Sequence, residues 1–147
     1  MRIIAGICMV LCMYVSTCMA APDPLWVGAV IHHSATETGN VEIFRRYHID
    51  VNGWDDIGYH FVILRDGTIQ AGRPLSKSGA HARGRNSTHI GICLVGKDNF
   101  THRQHASLVS LLRELVDEYG IHKVERHHEE CPGAGIDVEK LKLEIRN

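Results

Sequence analysis

A continuous apolar run in the middle of the chain constrains the fold most strongly. His89 to Val95 reads HIGICLV, with no alternation between apolar and polar positions. Such a run is typical of a central strand whose two faces are both covered. The sequence therefore predicts a sheet packed between helices rather than a sheet with one face open to solvent.

Other short segments around this run have the composition of strands. Leu25 to His32 is apolar and partly β-branched, and a short strand is predicted through Val124. Residues 59–65 and 68–71 flank Asp66-Gly67, which predicts a hairpin because both turn positions tolerate positive φ.

Three helices are predicted from their capping residues, Asn40, Thr101 and Asp137. Thr101 and Gln104 form a capping box, and Gly120 is expected to end that helix. The expected buried stripe of this helix is Leu108, Leu111, Leu112, Leu115, Val116 and Tyr119. The helix after Asn40 is expected to bury Ile43, Phe44, Tyr47 and Val51 and to stop at Gly53; the last helix is expected to bury Leu141 and Ile145. Strands interleaved with helices predict an α/β fold, a single domain with a central mixed β-sheet flanked by helices.

The first twenty residues have the pattern of an export sequence. A positive start is followed by an apolar run from Ile3 to Val15 and by small residues, which predicts a signal peptide over 1–20 with cleavage after Ala20. The apolar run is shorter than the ~20 residues of a bilayer-spanning helix. An uncleaved anchor and a lipoprotein attached through Cys18 are the alternatives. The prediction is a secreted or periplasmic protein with no stable membrane span, whose domain covers residues 25–147.

Charge and cysteine content exclude several classes of protein. The formal net charge is −1, which gives no field that favours nucleic acid as a partner. After the leader only Cys93 and Cys131 remain, too few for a disulfide scaffold. They either pair with each other or stay free, with Cys93 packed as a small hydrophobe. The chain contains 11 histidines, and histidine is the commonest metal ligand.

Two histidine pairs lie near opposite ends of the domain. His32 and His33 end the first predicted strand, and because side chains alternate along a strand, only one of them can face a given site. His127 and His128 precede Glu129-Glu130-Cys131-Pro132-Gly133. One histidine from each pair together with Cys131 would give three ligands, the number that catalytic zinc sites commonly use while a fourth position stays open for water.

Four motifs in order resemble the zinc-dependent N-acetylmuramoyl-L-alanine amidase family, which includes phage lysozyme-type endolysins and animal peptidoglycan recognition proteins. They are IHHSAT, GYHFVILRDGTIQAGRP, GAHARGRNSTHIGICLVG and the HH…CPG ending. The resemblance covers about Val30 to Asp137. It implies a mixed sheet with flanking helices, in agreement with the strand and helix pattern above.

The resemblance also implies roles for particular residues. His32, His127 and Cys131 match the zinc ligands, and Tyr59 matches the tyrosine that orients the water and the scissile carbonyl. His81 and Asn86 match the segment that lines the substrate groove in relatives.

The chain departs from the family between the second histidine and the cysteine, where relatives have a longer spacer. Four positions separate His127 from Cys131, and His128 could replace His127 as the ligand. Glu129 stands where relatives carry lysine or threonine. A carboxylate cannot donate a hydrogen bond unless it is protonated. Glu129 is therefore either a general base, as in other zinc hydrolases, or a solvated charge.

The resemblance implies a zinc hydrolase that cleaves the amide bond between N-acetylmuramic acid and L-alanine in peptidoglycan, most simply as a monomer. A peptidoglycan-binding module without catalysis is the alternative from a different class. Cleavage of released anhydromuropeptides is a third possibility with the same chemistry.

Overall fold

A computed structural model describes residues 25–146 of the chain. In sequence order its elements are β1 (Gly28–His33), α1 (Val41–Asp50), β2 (Phe61–Ile63), β3 (Ile69–Ala71), β4 (His89–Leu94), α2 (His102–Tyr119), β5 (Lys123–Arg126) and α3 (Val138–Glu144). The predicted leader lies outside the described residues. No helix within them is long and apolar enough to cross a membrane.

The strands form one mixed sheet in the order β3-β2-β4-β1-β5. β3 runs antiparallel to β2, and the other neighbouring pairs are parallel. The predicted mixed sheet is confirmed, and β4, which contains the apolar run, is its central strand and is fully buried. In the hairpin turn Gly67 has a positive φ of 90° and Asp66 does not, and the Asp66 carboxylate accepts a hydrogen bond from the Thr68 amide at 2.9 Å.

Apolar side chains cover the two faces of the sheet unequally. The larger cluster lies under α2 and α3 and includes Ile31, Ile92 and Leu112. The smaller cluster lies under α1 and includes Phe44 and Cys93. The second face is only partly filled by apolar residues, which leaves room there for polar groups.

α2 follows the sequence prediction closely. The capping box of Thr101 and Gln104 is present, and Gly120 ends the helix at φ 66°. Four leucines of the predicted stripe are buried, whereas Tyr119 at its end is 36% exposed.

The buried stripe predicted for α1 is wrong except at Phe44. Ile43, Tyr47 and Val51 are all more than half exposed. The helix instead turns Val41, Phe44 and His48 towards the sheet, and its last helical residue is Asp50, three positions before Gly53. Because both faces of this helix carry apolar residues, the packing of the helix on the sheet decides which face is buried.

Candidate metal centre

His32 is placed by the centre of the sheet. It lies next to last in β1, between β4 and β5, and is opposite Cys93 in the register with β4. Alternation along β1 turns Ile31 into the large core and His32 towards the α1 face. Only 2% of the His32 surface is exposed, so its backbone and ring are held by the fold.

The second part of the site comes from the turn after β5. Because β5 runs parallel to β1, its end lies beside the end of β1, and the His127 amide donates to the Ile31 carbonyl at 3.3 Å. His128 and Cys131 close the turn by exchanging two backbone hydrogen bonds of 3.2 and 3.1 Å. The short spacer is therefore a tight turn that brings Cys131 back to β1.

The ligand atoms of His32, His127 and Cys131 all lie within 4.8 Å of one another. One ion with bonds of about 2.0–2.3 Å spans such separations once the side chains close around it. His128 does not belong to this cluster among the residues that the structure describes. Two imidazoles and one thiol are a donor set suited to zinc.

Cys131 is buried against the backbone of His33. The His33 amide points at the Cys131 sulfur at 3.4 Å, and the His33 Nε2 donates to the Glu130 carbonyl at 3.0 Å. Burial raises the pKa of the Cys131 thiol, and the His33 amide partly opposes that effect. His33 thus contacts the turn rather than the metal position, as expected from strand alternation.

His81 determines which nitrogen of His32 is available to a metal. Its Nε2 lies 2.9 Å from the His89 carbonyl, which can only accept, so this nitrogen carries the proton. His81 Nδ1 is then the acceptor of the 3.0 Å hydrogen bond from His32 Nε2. The lone pair of His32 Nδ1 is left free for a metal ion.

The ring of His81 fits in this position because Gly91 in β4 has no side chain. A Cβ atom at Gly91 would lie 2.5 Å from the His81 ring. Burial lowers the pKa of His81 to about 4, and burial followed by the charge of His81 lowers the pKa of His32. Both rings are therefore neutral near pH 7, the form in which histidine binds metals.

Tyr59 borders the same site, with its ring centroid 5.2 Å from that of His32. Burial, followed by the charges of Cys93 and Cys131, raises the pKa of the Tyr59 hydroxyl. Tyr59 therefore remains a protonated hydrogen-bond donor beside the proposed ligands.

A further buried histidine, His48 in α1, lies next to Tyr59. It is 8% exposed, accepts a hydrogen bond from the Gly58 amide at 3.0 Å, and lies between the rings of Trp54 and Tyr59. Its spacing from Val41 and Phe44 (i, i+3, i+7) is consistent with one buried helix face, but Ile43, Tyr47 and Val51 have an equally regular spacing.

The remaining predicted residues lie around the metal position. Asn86 Oδ1 accepts from the amides of His81 and Ala82, both at 2.8 Å, and so shapes this loop. His81 and Asn86 also line an open depression of about 390 Å³ beside Trp54. Glu129 is exposed on the turn, and its carboxylate has no hydrogen bond or ion pair with any residue in 25–146.

Comparison with known proteins agrees with this architecture. A family model described as N-acetylmuramoyl-L-alanine amidase matches residues 23–134. The chain belongs to this family.

Similar proteins include a phage endolysin, a Clostridium amidase and a peptidoglycan recognition protein. The endolysin of Enterobacteria phage K11 is 40% identical over 115 residues, which cover 71% of this chain and 76% of the endolysin. The N-acetylmuramoyl-L-alanine amidase LysC from Clostridium intestinale superposes with a TM-score of 0.79 at 34% identity, covering 86% of this chain and 91% of LysC. Peptidoglycan recognition protein LE, solved with tracheal cytotoxin, gives a TM-score of 0.71 at 27% identity and covers 83% of this chain and 81% of that one.

Proposed function

We propose that this chain hydrolyses the amide bond between N-acetylmuramic acid and L-alanine in peptidoglycan, with zinc held by His32, His127 and Cys131. The observation that carries the proposal is the convergence of these three side chains from opposite ends of the domain. The peptidoglycan fragment in the similar recognition protein LE supports a ligand of the same class.

Zinc fits this donor set of two imidazoles and one cysteine sulfur. His32 offers Nδ1, since its Nε2 donates to His81. The amide of His33 points at the sulfur of Cys131 and stabilises a thiolate there. When bound, zinc polarises the amide carbonyl and makes a water molecule acidic enough to attack near neutral pH.

Tyr59 is the proposed donor to the oxyanion that develops on the scissile carbonyl. Its ring contacts that of His32, and its raised pKa keeps the hydroxyl protonated throughout the neutral range. A fixed donor at such a position stabilises the transition state more than the substrate, because the charge appears only as the carbonyl is attacked.

Glu129 is the proposed proton carrier. It lies on the turn between two proposed ligands, His127 and Cys131, and its carboxylate has no partner among residues 25–146. A carboxylate free of such partners can take the proton from the attacking water and pass it to the leaving amine. The open depression beside His81 and Asn86 is the proposed position of the glycopeptide.

Export of the chain is part of the proposal, because intact peptidoglycan lies outside the cytoplasmic membrane. Mass spectrometry of the exported protein should find Ala21 as the first residue. An intact Met1 on the exported form would indicate an anchor instead.

The activity is tested by digesting purified sacculi and identifying the released products by mass spectrometry. Stem peptides with a free L-alanine amino group are expected; their release should stop with a chelator and return with added zinc. Release of disaccharide fragments would contradict the proposed bond. Binding to sacculi without cleavage, with zinc present, would support the non-catalytic module.

A further inference from the structure

We propose that Arg85 is a positioning residue that holds the backbone of His127 and so orients the second metal ligand. The proposal rests on the zinc amidase function above. Arg85 Nη2 donates to the His127 carbonyl at 2.7 Å, and Nη1 donates to the Arg126 carbonyl at 3.1 Å. Nη1 also pairs with the Glu125 carboxylate at 3.1 Å. One guanidinium therefore contacts three consecutive residues up to the ligand.

His127 and the turn after β5 need the contact with Arg85 because the sheet borders them on one side only. β5 is an edge strand, and His127 follows its last residue. The backbone contact of His127 with β1 is a single 3.3 Å hydrogen bond from its amide. The next three residues, His128 to Glu130, are exposed. Without Arg85, the Arg126 and His127 carbonyls would lose these donors and the ligand could swing with the turn.

Arginine is suited to this role because its planar group donates in two fixed directions. A charged donor also makes stronger hydrogen bonds to carbonyls than a neutral donor does. The 3.1 Å ion pair with the Glu125 carboxylate also holds the guanidinium beside β5.

The loop that carries Arg85 is itself held in place. The Arg85 amide donates to the Ala82 carbonyl at 2.9 Å, and the Arg85 carbonyl accepts from the His89 amide at 2.8 Å. The same loop supplies His81, which fixes the ring of His32. Residues 81–89 therefore contact both histidine ligands, one through its ring and the other through its main chain, and so set their relative position.

The test compares Arg85→Met with Arg113→Met. Arg113 is a matched control because its Nη2 also donates to a main-chain carbonyl at 2.7 Å, that of Glu144 in α3, and its side chain is exposed. Zinc affinity is measured by competition with a chromophoric chelator. The absorption spectrum of the Co²⁺-substituted protein reports the coordination geometry, and thermal unfolding of the metal-free proteins checks the fold.

Arg85→Met should weaken zinc binding about 10–100-fold, the usual effect of removing a group that orients a metal ligand. Its cobalt spectrum should change in the d–d region, while Arg113→Met should match the wild type in both measurements. Unchanged affinity and spectrum in Arg85→Met, or an equal loss in Arg113→Met, would overturn the proposal.

Arg85→Lys keeps the positive charge but lacks the planar group that donates in two fixed directions. This variant replaces Arg85→Met in the test if Arg85→Met does not fold. If both variants fold, a zinc affinity of Arg85→Lys between those of the wild type and Arg85→Met supports the proposal. If only Arg85→Lys folds, a zinc affinity below that of the wild type supports it. Wild-type affinity overturns it. A wild type that binds zinc but leaves sacculi intact would contradict the proposed activity alone, since the affinity measurements do not depend on cleavage.

Discussion

The two regions that supply the proposed ligands are supported in different ways. The end of β1 lies between two parallel strands, and His32 there is 2% exposed. The turn after β5 lies at the sheet edge, with His128, Glu129 and Glu130 exposed. His32 is positioned by the core of the fold, whereas His127 and Cys131 are positioned by contacts with Arg85 and His33. The buried strand β1 thus holds His32 in place, and contacts from other parts of the chain hold the exposed turn that supplies His127 and Cys131.

The largest effects should come from removing one ligand in each region, His32→Ala and Cys131→Ala. Both variants should lose zinc and fall to the activity of the chelated protein. His32→Ala should destabilise the metal-free fold by about 1–3 kcal/mol, because it leaves His81 Nδ1 as a buried acceptor without its partner. Cys131→Ala should destabilise it less, because the His33 amide loses only a weak sulfur acceptor.

Zinc analysis and denaturant unfolding of both variants check this difference. If Cys131→Ala binds zinc as tightly as the wild type, Cys131 in the turn is not a zinc ligand. If metal-free His32→Ala is as stable as the wild type, His32 does not contribute to the stability of the core around β1.

Glu129→Gln tests whether the exposed turn also contributes to proton transfer. Turnover should fall by roughly 10²–10⁴-fold, the usual contribution of general acid–base catalysis, with zinc content unchanged. The neighbouring exposed residue provides the control, and Glu130→Gln should stay within a few-fold of the wild type. If Glu129→Gln cleaves sacculi at nearly the wild-type rate, Glu129 is a solvated charge with no role in proton transfer.

Tyr59→Phe tests the side of the site that faces the core. Loss of one oxyanion donor should reduce turnover by about 10²–10³-fold. Zinc affinity should not change, because the hydroxyl is not among the proposed ligands. Tyr47→Phe, at an exposed position of α1, is the control. If steady-state kinetics of Tyr59→Phe match those of the control, the proposed donor must be another group.

The smallest effect is expected from Asp56→Asn, in the framework away from the ligands. Burial raises the pKa of Asp56, but the hydrogen bonds from Arg45 and from the Ile57 amide outweigh it and lower the pKa overall. The folded-state pKa is thus below that of the unfolded chain. The carboxylate therefore stabilises the fold above the unfolded pKa of about 3.9, and this stabilisation is lost as the pH falls through the folded value.

Asp56→Asn should lower the free energy of unfolding at pH 7 by about 0.5–1 kcal/mol, since a partly exposed pair is screened by solvent. The difference from the wild type should shrink as the pH falls below about 4, with zinc affinity at neutral pH unchanged. Urea unfolding at several pH values measures it. A difference that is constant with pH would show that the Asp56 charge does not stabilise the fold.

The two longer helices show how far local sequence determined the fold. In α2 the apolar residues occupy one face, so its buried leucines could be predicted from spacing alone. In α1 apolar residues lie on two faces, and spacing did not distinguish Phe44 and His48 from Ile43 and Tyr47. The packing of α1 on the sheet decided between them.

The sequence by itself determined the order of the motifs, the central strand and the types of ligand, because these depend on composition and short spacings. It did not determine which nitrogen of His32 faces a metal, nor the contact of Arg85 with His127. Those contacts join residues 49 and 42 positions apart. Only the parallel alignment of β1, β4 and β5 brings such distant residues within hydrogen-bonding distance, and local patterns carry no record of that alignment.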